Sequence, residues 1–105
     1  MVIQYTTPTE RAVVEGADLT GCDVWVSFQQ GRRELDVKAS SVTYDGADST
    51  VEVPLTQLQT AGFKPGVVKL QVNWVTSTNE RDATILAEVE WGENLLERVV
   101  EYGDD

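Results

Sequence analysis

Histidine is absent from this 105-residue chain, and cysteine and methionine occur once each, as Cys22 and Met1. Without histidine there is no Ser-His-Asp triad, no Cys-His dyad and no histidine-ligated zinc. A single cysteine forms neither an intrachain disulfide nor a thiolate cluster. Cys22 falls on the apolar side of an alternating stretch, where cysteine packs as a small hydrophobe, and no imidazole stands by to activate it. Positive charge is also scarce. Eight Lys and Arg residues stand against 18 Asp and Glu, for a net charge of −10. Such a surface repels phosphate backbones and anionic lipid, so neither nucleic acid nor membrane is an expected partner. Nothing approaches the ~18 consecutive apolar residues of a membrane helix. The start, Met1-Val-Ile-Gln-Tyr, has no basic segment leading into an apolar run, so cytoplasmic synthesis without a signal peptide is expected.

Catalytic signatures are missing as well. There is no GxGxxG and no GxxxxGK[ST], the loops that cradle phosphates. The many carboxylates sit in turns or on outward strand positions, without the burial that would separate two of them into an acid and a base. The loop Asp45-Gly-Ala-Asp48 lacks the dense acidic run of a calcium loop and reads as a plain turn. The chain is therefore read as non-enzymatic, with no cofactor and no metal.

What is present is alternation. In Gly21 to Gln30, Cys22, Val24, Val26 and Phe28 fall on one side and Asp23, Trp25, Ser27 and Gln29 on the other, the two-residue period of a half-buried strand. Val67 to Val75 repeats the pattern, with Val68, Leu70, Val72 and Trp74 inward. Ala83 to Trp91 pairs with it, with Ile85, Ala87, Val89 and Trp91 on one face. Shorter strands are expected in VIQYT at the start, Arg11–Val14, Arg33–Lys38, Val42–Tyr44 and Thr50–Leu55. Gly31-Arg32, Asp45-Gly46 and Ser77–Glu80 supply the turns. Pro54 lacks an N–H, so its strand lies at an edge or ends there. Thr56-Gln-Leu-Gln59 has the spacing of a capping box, which predicts a helical turn near 57–61, closed by a left-handed Gly62 and stopped by Pro65. In the tail, Leu95, Leu96, Val99 and Val100 fall at helical spacing, and 102–105 are expected to fray.

About seven to eight short strands with turn signals every 8–12 residues predict an all-β fold. The expectation is one domain over 1–105, an immunoglobulin-like antiparallel β-sandwich with one helical turn and a C-terminal helical segment. Trp25 is the outlier, a large aromatic on the polar side of its strand. Either a neighbouring strand or the Leu95–Val100 segment covers it, or it contacts another subunit. With Trp25, the candidate interface comprises Tyr5 in the first strand and the apolar stripe Leu95, Leu96, Val99 and Val100.

The order of short motifs is informative in its own right. TTPT (Thr6–Thr9), DLTG (Asp18–Gly21), VSFQQG (Val26–Gly31), VPLTQ with a following Gln-Thr (Val53–Thr60), AGFKPGVVKLQV (Ala61–Val72) and WGENLLERVV (Trp91–Val100) together resemble small proteins from phage and prophage structural gene clusters. They also resemble the N-terminal immunoglobulin-like domain of siphophage baseplate upper proteins. That resemblance spans about residues 6–100. It implies a virion structural protein of the tail or baseplate that binds other tail proteins or itself as a homo-oligomer. Its place would be the virion, after synthesis in the bacterial host cytoplasm. The chain departs from the family after TTPT, where Glu10-Arg11-Ala12 stand in place of a histidine and an aromatic. The alternative is a carbohydrate- or receptor-binding sandwich, with Trp25 stacked on a sugar ring.

Overall fold

A computed structural model describes residues 1–103; Asp104 and Asp105 of the closing GDD, where fraying was expected, lie outside the described residues. Among the described residues, nine strands and one helix follow in chain order: β1 Val2–Ile3, β2 Thr9–Glu15, β3 Asp23–Gln30, β4 Arg33–Lys38, β5 Ser41–Tyr44, β6 Asp48–Pro54, α1 Gln57–Ala61, β7 Gly66–Val75, β8 Arg81–Ala83 and β9 Ala87–Gly92. One sheet has the order β1-β9-β7-β3-β4, with β8 also paired to β7; the other has the order β2-β6-β5. The two face each other as a sandwich, and the all-β expectation holds. The strand count exceeds the expected seven to eight because β8 separates from β9.

Alternation does what it should at β3. Val24, Val26 and Phe28 are buried, while Trp25 and Ser27 face outward on the same strand. Opposite them across the core lie Val14 of β2 and Val51 and Val53 of β6, with Val68, Leu70 and Val72 of β7 completing the apolar layer. Gln30 faces Arg33, so Gly31 and Arg32 make a two-residue hairpin turn. Gly31 takes φ 58°, the left-handed geometry such tight turns require. Pro54 is the last residue of β6, the middle strand of its sheet, so its missing N–H ends the strand rather than marking an edge.

The helical turn forms where the capping box lies. Thr56 accepts from the Gln59 N–H, and the Gln59 side chain accepts from the Thr56 N–H. The closure differs from expectation: Gly62 is right-handed, with φ −72°, and its N–H donates to the Gln59 carbonyl. A left-handed cap is unnecessary because the chain turns directly into Phe63, which is fully buried. Beneath α1 sits Trp91. Its indole N–H donates to the Thr60 carbonyl at 2.7 Å, and its ring meets Phe63 at 5.0 Å and Phe28 at 6.0 Å between centroids. Thr60 is itself buried, and its hydroxyl donates to the Thr6 carbonyl and accepts from the Thr6 N–H.

Two further expectations are corrected. The run Ala83–Trp91 is not one strand. Asn73 faces Ala83, yet Leu70 faces Ala87, so Gln71 and Val72 on β7 oppose three residues, Thr84, Ile85 and Leu86. This one-residue excess is a β-bulge. Thr84 bridges it, its N–H donating to the Val72 carbonyl and its hydroxyl accepting from the Val72 N–H. The extra residue shifts the facing of everything before it, so Ile85 points out to solvent instead of inward. The tail is the second correction: residues 93–103 form bends and turns and no helix. The Gln57 side-chain amide grips both the N–H and the carbonyl of Val100, which holds the tail against α1 in an extended path.

Trp91→Phe removes the buried donor to Thr60 and shrinks the ring stacked on Phe28 and Phe63. A loss of about 2–3 kcal/mol is expected from the cavity and the orphaned carbonyl together. It should appear as a lower urea midpoint with an unchanged slope; a midpoint equal to wild type contradicts the central role of this ring.

Candidate functional site

Three surface regions carry the residues of interest. The first is the outer face of the larger sheet around Trp25. Trp25 is half-buried, with Lys38 and Asn73 as its cross-strand neighbours. The Lys38 ammonium lies 5.6 Å from the ring centroid and also pairs with Asp23 at 3.4 Å. Beside the ring is a shallow depression of about 380 Å³ lined by Ser27, Asp36, Asn73, Val75 and Arg81. Its polar groups largely satisfy one another, Ser27 donating to Asp36 at 2.6 Å and Arg81 to Asn73 at 3.4 Å. Both a covering strand neighbour and an outward ring edge are present, so Trp25 is neither fully exposed nor core.

The second region is formed by the chain ends. Tyr5 is half-buried at φ 60°, a left-handed residue at which the chain leaves β1. Around it, Gln4 donates from its backbone to Gly92 at 2.9 Å and from its side chain to Phe63 at 2.7 Å, and Asn94 donates to the Gln4 carbonyl. In the tail, Leu95 is 94% exposed, Leu96 and Val99 are exposed, and Val100 is half-buried under the grip of Gln57. The tail residues chosen from the sequence are thus accessible, but they do not gather into one face with Trp25.

The third region is the open side of the sandwich. Between β2 and the bulge before β9 runs an apolar groove of about 710 Å³. Its floor is Val14, Leu70, Val72 and Trp74, its walls Ala12, Ile85, Leu86 and Val89, and its rim Asp82 and the β2 edge, with Glu10, Arg11, Val13 and Glu15. Val13, Ile85 and Leu86 are exposed large apolar side chains, with Ile85 at 91%. Sequence reading missed this site. A signal existed in Thr84-Ile-Leu-Ala87, where adjacent Ile85 and Leu86 break the two-residue period and mark the bulge.

The Asp45–Asp48 loop is a turn, as expected. One Asp45 oxygen accepts the N–H groups of Asp48 and Ala47 at 2.8 and 2.9 Å, and Asp48 accepts from Gly16 at 3.0 Å. Among the described residues no three Cys, Asp or Glu side chains converge as metal ligands would. Two comparisons with known proteins bear on the chain: no family model matches it, and no curated protein matches it.

The hydrogen bond from Asp48, then that from Ala47, stabilises the Asp45 carboxylate and holds its pKa below the usual carboxylate range. Its contribution to the β5–β6 turn is therefore complete above the ordinary carboxylate pKa and is lost as pH falls through the lowered value. In an NMR titration the Asp45 carboxyl should report that low midpoint, with the Ala47 and Asp48 amide shifts moving in step. A midpoint in the ordinary range contradicts the assignment.

Proposed function

We propose that this chain is a non-enzymatic structural protein of a phage or prophage particle, associated with the tail or baseplate and acting through protein–protein assembly. The observation that carries this reading is the open side. A sandwich that leaves Ile85 and Leu86 exposed beside an apolar groove presents a surface suited to another polypeptide.

Strand order supports the immunoglobulin-like part of the reading. In that arrangement the smaller sheet carries an additional strand beside the one equivalent to β2, and the larger sheet joins three strands equivalent to β3, β7 and β9. Here β2 is an edge. The resemblance of residues 6–100 to phage structural proteins supplies the biological setting.

Light scattering over a concentration series tests the self-assembly form of this proposal. The expected mass rises with concentration from 11.6 kDa toward a defined multiple of it. Trp25→Ala, on the outer face of the larger sheet, leaves that rise unchanged. A constant monomer mass up to the solubility limit overturns it.

A further inference from the structure

We infer that the free edge of β2 pairs antiparallel with β2 of a second copy, joining the two small sheets into one. The inference deepens the assembly reading and rests on it. It begins with the backbone. In an antiparallel ladder, alternate residues turn both their N–H and C=O toward the same neighbour. Leu55 N–H donates to the Pro8 carbonyl at 2.9 Å at one end of the β2–β6 ladder. Glu52, which faces Arg11, turns its carbonyl the other way, to Ser40 on the β5 side. The parity is therefore fixed: Glu10, Ala12 and Val14 bond to β6, while Thr9, Arg11, Val13 and Glu15 turn their N–H and C=O groups to the free edge.

Charge then selects a register. Arg11, Val13 and Glu15 share the outer face of the strand. A two-fold axis through Val13 sets it against the second copy's Val13 and places Arg11 opposite Glu15 on both sides. Arg11, Val13 and Glu15 are all edge-turned residues, so these pairs are hydrogen-bonded ones, and the backbone and the charges agree. Moving the axis to Arg11 opposes two arginines; moving it to Ala12 leaves the charges against Val13 and Thr9. Cross-strand pairs of opposite charge stabilise a ladder, and like pairs oppose it. Arg11 already touches Glu52 at 3.2 Å, but its side chain is 70% exposed and keeps donors for a second carboxylate.

The same register fills the groove. Even-numbered residues of β2 face inward, so the second copy's Ala12 and Val14 lie beyond the edge, over the groove and beside Ile85 and Leu86. The competing view is that Glu10, Arg11 and Glu15 are charges that guard an edge against pairing. Arg11 and Glu15 complement a second copy in this register instead of repelling it, which leaves Glu10, half-buried on the inward face, as the one charge of the three that has no counterpart there.

The test uses two single variants, Arg11→Glu and Glu15→Arg, each checked for folding by near-ultraviolet circular dichroism and thermal unfolding. Alone, each opposes like charges twice across the two-fold axis and should weaken dimerisation by about tenfold or more. Mixed in equal amounts, they form a heterodimer in which both opposite-charge pairs return, and the mass should recover toward that of the wild type. If the wild type oligomerises and neither variant alters it, assembly stands and runs through another surface, so the β2 inference is overturned. If both single variants weaken the oligomer but the mixture fails to recover, the register is overturned. A wild type that stays monomeric overturns the inference together with self-assembly.

Discussion

The hydrogen bond from the Trp91 indole to the Thr60 carbonyl ties together parts of the chain that are distant in sequence. Trp91 is opposite both Val2 and Gly66 in its sheet, so its strand is held between the N-terminal strand and β7. Thr60 in turn binds Thr6 through its side chain, which carries the first segment across to the helix. Phe28 and Phe63 close around the indole and give the group no other place to go. Aromatic burial of this kind contributes most of what a short-stranded sandwich has, and the buried N–H requires its one acceptor. The end of the sandwich near α1 is consequently well determined.

The opposite condition holds along the β2 side. There the bulge at Thr84–Leu86 turns Ile85 outward and leaves Leu86 exposed beside it. Ser49, buried on β6, anchors the chain that leaves β2 by donating to the Ala17 carbonyl and accepting from the Leu19 N–H. The β2 strand is thus firmly attached on one edge and unpaired on the other. The core is closed at the α1 end, while the flank beside β2 stays open.

Much of this was legible in the sequence, for physical reasons that differ from residue to residue. The β3 alternation and the Thr56 capping box are local and decided by two or three side chains, so both were readable. The bulge was legible only as adjacent Ile85 and Leu86 breaking the two-residue period; the mismatch itself lies between two strands and takes form only with β7 as the partner. The tail misled in another way: Leu95, Leu96, Val99 and Val100 have helical spacing, but Gln57 binds the Val100 backbone in a geometry that a helix would not offer. Trp25 is legible as an outward aromatic, and on the sheet face it lies half-buried beside Lys38. The free edge of β2 was invisible because edge status belongs to topology rather than to any residue.

Amide hydrogen exchange followed residue by residue at two protein concentrations probes the open edge most directly. With β2 paired across a two-fold axis, the amides of Arg11, Val13 and Glu15 exchange rapidly in dilute solution and become protected when the protein is concentrated. Those of Glu10, Ala12 and Val14, bonded to β6, are protected at both. If the Arg11, Val13 and Glu15 amides exchange equally fast at both concentrations while the mass rises, the molecule assembles elsewhere and the open flank is not the surface it uses.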